Sequence, residues 1–143
     1  MLKNVPSVIS TPLLSALMDM GHGDEIVIGD GNFPGIDLAK RVVYANGHSV
    51  VDLLEALLKV ISLDEFVDCP VGVMATTPYY KGVPPVWEEF KNVISNSEEK
   101  DHFTDFEYVE RYEFYERAKN AYAVVVTSEA ALFANLIIKK GIL

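Results

Sequence analysis

The sequence predicts a single α/β domain over residues 1–143, built on a largely parallel sheet with helices on both faces. Three observations carry this. Segments with strand and helix patterns alternate along the chain, and sequential alternation of this kind favours parallel pairing. Several strand segments are apolar without interruption, as strands covered on both sides are. The chain has 143 residues, half of them hydrophobic, which is enough for one core and short for two.

The elements follow in order. Ser10-Thr11-Pro12 offers a hydroxyl cap with proline near the first helical position, and Leu13, Leu14, Leu17 and Met18 recur at helical spacing until Gly21 ends the run. Glu25 to Ile28 reads as a buried strand, and the glycines and Pro34 after it as a loop. Ser49 with Asp52 has the spacing of a capping box, and Leu53, Leu54, Leu57, Leu58 and Ile61 form a helical stripe. Val71 to Ala75 reads as a strand. Pro84-Pro85 opens a helix carrying Val86, Trp87, Phe90, Val93 and Ile94. Phe106 to Val109 alternates as a half-buried strand, Tyr112 to Asn120 is helical, and Ala121 to Val126 and Leu136 to Ile138 read as strands. Thr76 to Val83 and Asn96 to Thr104 are the long loops.

Composition narrows the function. Twelve basic against twenty-one acidic residues give a net charge of −9, which repels nucleic acid and anionic membranes and suits a small neutral ligand. Pro6, Pro12 and Asp19 interrupt the amino terminus, so it reads neither as a signal peptide nor as a membrane span. Cys69 is the only cysteine, which fits a reducing, cytoplasmic setting.

The most informative stretch is Met20-Gly21-His22-Gly23-Asp24-Glu25, an apolar run, and then Gly29-Asp30-Gly31-Asn32-Phe33-Pro34. Glycines on either side leave His22 uncrowded, and histidine is the side chain whose unperturbed pKa suits proton shuttling near neutrality. Gly-x-Gly-x-x-Gly, Gly-Lys-Ser/Thr and Gly-x-Ser-x-Gly patterns are absent, so nucleotide and serine-hydrolase chemistry start low. His22, His48 and His102 lie far apart in sequence; His22 with Asp24 and Asp30 is the one metal arrangement to weigh, and proton transfer or hydroxyl binding explains the same residues.

Four blocks in order, Met20 to Val27, Asn32-Phe33-Pro34, Tyr112 to Lys119 and Phe133 to Ile137, followed by Lys139-Lys140-Gly141, resemble the L-fucose mutarotase branch of the RbsD/FucU family. The resemblance spans essentially the whole chain and implies an RbsD-like fold. It also implies an isomerase that interconverts α and β sugar anomers by opening and closing the ring, with no cofactor, nucleophile or metal. By that resemblance His22 and Tyr115 are the catalytic candidates, with His22 the proton donor. Asp30, Arg111, Asn135, Phe133 and Asp64 are substrate-binding candidates. Phe133 stands where the family usually has tyrosine, so a hydroxyl is missing there. The resemblance further implies a ring-shaped homo-oligomer, a decamer, with the site near subunit boundaries.

Two other functions are compatible with these residues: a D-ribose pyranase-like interconversion of pyranose and furanose, and a non-catalytic monosaccharide-binding module. Each residue also has a plainer explanation. His22 would cap the preceding helix, Asp30 would form a turn, Arg111 would pair with Glu107 or Glu110, Tyr115 would be half-buried core and Asn135 would cap a turn.

Overall fold

A computed structural model describes residues 1–143. Its centre is a six-stranded sheet of β1 (Glu25–Gly29), β2 (Val42–Ala45), β3 (Val71–Met74), β4 (Glu107–Val109), β5 (Ala123–Thr127) and β6 (Leu136–Lys139), in the order β2-β5-β1-β6-β3-β4. Pairing is parallel in β2/β5, β1/β5 and β3/β4, whereas β6 runs antiparallel to both neighbours. The carboxyl ends of the other five strands therefore share one edge of the sheet, and β6 begins there and ends at the opposite, amino edge.

Both faces are covered, as their apolar strands require. Alternate strand residues such as Ile26, Ile28, Val125, Leu136 and Ile138 join the larger cluster, under α1 (Thr11–Asp19), α3 (Val50–Leu57) and α4 (Pro85–Ser95). Val27, Val124 and Ile137 point the other way and meet Phe33, Phe114 and Ala118 under α5 (Arg111–Asn120). The short α2 (Gly35–Leu38) packs on that same side so closely that a Cβ at Gly35 would stand 2.6 Å from Val126 Cγ1.

The helix signals hold in detail. Ser10 Oγ accepts from the Leu13 N–H and Ser49 Oγ from the Asp52 N–H, each satisfying an otherwise free amide of a first turn. Glu110 does the same for α5, accepting from the N–H groups of Tyr112 and Glu113. Several details differ from expectation, among them α2, which follows Pro34 where the sequence suggests only a loop. Met18 faces outward, 79% exposed, away from the side of α1 that buries Leu13, Ala16 and Leu17. The α3 helix stops at Leu57, four residues short of Ile61. The segment from Lys40 to Ala45 contributes an edge strand, β2, whose central Tyr44 is exposed, and a 3₁₀ turn at Lys100–His102 interrupts the long loop after α4. No helix is long and apolar enough to cross a membrane.

Candidate functional site

The residues singled out in the sequence fall into two groups at opposite edges of the sheet. His22 precedes β1 and Asp30 follows it. Five strand residues lie between them, and at about 3.3 Å per residue the strand alone separates the two by roughly 16 Å. A metal held jointly by His22 and Asp30 of one chain is therefore excluded by geometry, and the Asp24 carboxylate turns instead to the Gly21 N–H at 2.8 Å.

At the amino edge, His22 Nε2 lies 3.1 Å from Asp64 Oδ1. The imidazole is 45% exposed while the carboxylate is almost wholly buried. Backbone ties bring them together. Gly23 has φ +83, in the left-handed region that glycine tolerates, and its N–H donates to the Lys140 carbonyl at 2.8 Å. The Asp64 N–H donates to the Lys139 carbonyl and the Gly141 N–H to the Ser62 carbonyl, so the tail of β6 is laced to the histidine turn on one side and the Asp64 segment on the other. A side chain at Gly141 would overlap the Leu63 carbonyl, which explains why glycine stands there.

Burial pushes the Asp64 pKa up, but the Phe66 N–H and His22 together outweigh it and hold the carboxyl below its ordinary range. An ionised Asp64 can only accept, so Nε2 is the donor of this pair and Nδ1 is the imidazole nitrogen left for other chemistry. Phe66 stacks at 5.5 Å from the imidazole and walls one side of it.

At the carboxyl edge, Asp30 and Asn135 lock together. The Asp30 N–H donates to Asn135 Oδ1 at 2.8 Å and Asn135 Nδ2 donates to Asp30 Oδ2 at 3.0 Å, both residues being buried. Asp30 Oδ1 also accepts from the Asn32 N–H, the turn its plainer explanation anticipated. Burial is the largest influence on Asp30 and, with Glu129 adding repulsion, raises its pKa despite these hydrogen bonds. A buried carboxyl with a raised pKa is a common mark of a functional site.

Arg111 begins α5 just beyond the end of β4 and donates through Nε to the Tyr115 hydroxyl at 2.9 Å, rather than pairing with Glu107 or Glu110. Glu107 is engaged by Arg117, which also grips Glu25. The Tyr115 ring meets Phe33 edge-on at 5.7 Å, and the Phe33 N–H donates to the Asp30 carbonyl, which ties this pair to Asp30.

Phe133 adopts φ +59, a left-handed conformation that costs an aromatic residue about 1–3 kcal/mol unless its surroundings impose it. Two partners do so: Trp87 Nε1 donates to the Phe133 carbonyl at 2.9 Å, and the Tyr80 ring stands edge-on at 4.8 Å. Trp87, among the helix residues singled out in the sequence, joins the core, but nothing in the sequence shows that it also fixes Phe133; Tyr80 and Phe66 were missed altogether, because nothing local marks a loop aromatic as a site wall. Two surface depressions, of about 520 and 670 Å³, lie along α3 and α4 and beyond α4 towards Asp105, lined by residues of neither group.

The model of the RbsD / FucU transport protein family matches residues 3–143. The chain belongs to the RbsD/FucU family. Within it, the chain is 44% identical to the fucose mutarotase of Homo sapiens, over 99% of this chain and 94% of that one. The crystal structure of the fucose mutarotase in complex with L-fucose from Streptococcus pneumoniae superposes with a TM-score of 0.90 at 39% identity, covering 99% of both chains. Bacillus subtilis RbsD, complexed with D-ribose, is a more distant RbsD/FucU member at TM-score 0.75 and 25% identity, covering 100% of this chain and 99% of its own.

Proposed function

We propose that the protein is a cofactor-independent L-fucose mutarotase of the cytoplasm, and that its site is assembled from the amino edge of one copy and the carboxyl edge of another. The separation of His22/Asp64 from Asp30/Asn135 by the length of β1 is the observation that carries the composite site. Fucose is favoured over ribose by the closer fit to the fucose-bound relative. With the amino edge of one copy set against the carboxyl edge of the next, the contact is head-to-tail, and such a contact makes a ring where the rotation between copies closes. A ring-shaped homo-oligomer, a decamer on the family pattern, is therefore part of the proposal. Exposed apolar side chains including Ile36, Tyr44, Tyr112 and Leu132 are available for burial in such an assembly.

The chemistry follows from the two edges. Asp30, Asn135 and the Arg111 guanidinium bind sugar hydroxyls, and the aromatic rings of Phe33 and Phe133 meet apolar ring surface and the deoxy-sugar methyl. His22 Nδ1 takes the proton of the anomeric hydroxyl, while the Tyr115 O–H, its oxygen already accepting from Arg111, donates to the ring oxygen. The bond between the anomeric carbon and the ring oxygen breaks as the aldehyde forms. Rotation about the adjacent carbon–carbon bond and the reverse proton transfers close the ring on the other face. Asp64 keeps the imidazole in the required tautomer. General acid–base assistance of this kind contributes about 10²- to 10⁴-fold.

Saturation-transfer NMR with L-fucose and D-ribose side by side tests the reading. Accelerated exchange between fucose anomers, exceeding any effect on ribose, is expected; acceleration confined to ribose pyranose and furanose forms would assign the alternative reaction, and sugar binding without exchange would leave a binding module.

Phe133→Tyr provides a further check. The turn spacing to Asn135 is intact and Trp87 holds the backbone, so the restored hydroxyl is expected to tighten fucose binding or speed exchange by severalfold, in line with about 0.5–1.5 kcal/mol for one neutral hydrogen bond. A variant no better in either respect would mean that another group already occupies that role, Tyr80, whose ring stands against Phe133, being the candidate.

A further inference from the structure

Asp64 lies in a segment that is tethered on two sides. On one, the tail of β6 holds Ser62 and Asp64 by backbone hydrogen bonds. On the other, the only side chain from the turn after α4 that reaches the segment's backbone is Glu99, whose Oε2 accepts from the buried Leu63 N–H at 2.8 Å, thirty-six residues away in sequence. The Glu99 side chain is 12% exposed, and its own backbone N–H is tied to Ser97 Oγ, which in turn donates to the Ile94 carbonyl at the end of α4. His102 completes the arrangement. Its Nδ1 lies 3.2 Å from Glu99 Oε2 and its Nε2 lies 3.7 Å from Glu65 Oε2, so one imidazole spans from Glu99 to the residue that follows Asp64.

We infer that Glu99, in contact with His102, is a positioning residue for the reaction: by holding the Leu63 N–H beside Asp64, it sets where the Asp64 carboxylate meets His22. The inference rests on the reading of His22 and Asp64 as the proton-transfer pair. The physical case is that a buried carboxylate accepting a backbone N–H makes a charge-assisted bond, stronger than a neutral one, and that Leu63 and Glu65 immediately flank Asp64. Releasing the Leu63 tie leaves the backbone on either side of Asp64 hydrogen-bonded to the β6 tail alone, and a displacement of the order of 1 Å in catalytic geometry costs up to about 100-fold in rate.

The test uses the full chain with Glu99→Ala, Glu99→Leu, Glu99→Gln, His102→Gln and Asp64→Asn, read by fucose anomer exchange and by the ¹H–¹⁵N resonances of the His22 imidazole. Glu99→Ala is expected to lower kcat by roughly tenfold or more with KM changed less than twofold, and to move the His22 resonances in the direction seen for Asp64→Asn. Glu99→Gln, which keeps an acceptor for the Leu63 N–H, should recover most of the rate, and His102→Gln should lose less than Glu99→Ala. If Glu99→Ala does not fold, Glu99→Leu and His102→Gln carry the test: a shift of the His22 resonances in either supports the inference, and native resonances in both folded variants overturn it. Unmoved His22 resonances in a folded Glu99→Ala protein, with only its melting temperature lowered, would likewise overturn it and leave Glu99 a structural tie. Native exchange in Asp64→Asn would instead sink the proton-transfer reading, while the His22 resonances would still decide whether Glu99 governs the pair.

Discussion

His22→Ala is expected to reduce fucose anomer exchange to the uncatalysed background, a loss of about 10²- to 10⁴-fold, because the only imidazole at either half of the site is removed. The fold should survive, since the ring is 45% exposed and joins neither apolar cluster. Its stability cost has a pH signature. Asp64 is held below its ordinary pKa in the folded protein, with His22 one of the causes, so it contributes stability that is present above the unfolded carboxylate value of about 3.9 and is lost as pH falls through the lower folded value. The melting temperature of His22→Ala should therefore trail the native protein at neutral pH, and the gap should narrow below about pH 4. Native exchange rates in the folded variant would remove His22 from the mechanism.

Asp30→Asn is expected to weaken fucose binding by at least about tenfold, or 1.4 kcal/mol, while leaving the melting temperature within a few degrees of native. Asparagine keeps an oxygen for the Asn32 N–H, but its amide nitrogen would confront Asn135 Nδ2, two donors facing each other where a donor now meets a carboxylate. The sugar loses a charged acceptor and Asn135 loses its orientation. Stability is buffered by the opposing effect of the buried charge. The Asp30 pKa is raised on folding, so its ionised form opposes the fold at pH values above the ordinary carboxylate range, and an uncharged side chain removes that penalty. Unchanged fucose affinity would return Asp30 to a purely structural turn.

How much of this was readable in the sequence depended on how local its cause was. The helices α1, α3, α4 and α5 announce themselves because caps and apolar periodicity lie within a few neighbouring residues: Ser10, Ser49 and the Pro84-Pro85 pair stand where the structure begins those helices. Strand β2 was missed although Val42-Val43-Tyr44-Ala45 is apolar throughout, because it is only four residues long, at the sheet edge beside Lys40-Arg41 and with Tyr44 exposed. The antiparallel course of β6 could not be read at all, since strand order and direction depend on partners far away in sequence.

The site shows the same division. His22 and Asp30, eight residues apart, read as one cluster, and β1 drives them to opposite edges. Asp64, forty-two residues from His22, is the side chain that His22 meets. The positive φ of Phe133 had no sequence signal, because it is imposed by Trp87 and Tyr80 rather than favoured by phenylalanine itself. What family resemblance supplied was the identity of the residues, and what the fold adds is that one chain does not gather them.

Co-expression of His22→Ala with Asp30→Asn tests that point most directly. At subsaturating fucose, His22→Ala alone should show only background exchange and Asp30→Asn alone no more than about one tenth of the native rate. If the site joins the amino edge of one copy to the carboxyl edge of another, randomly mixed assemblies contain intact sites wherever a native His22 faces a native Asp30, and exchange should return to about one quarter of the native rate per chain. Assemblies that contain both variants in equal amounts and remain no more active than Asp30→Asn alone would contradict a site shared between copies.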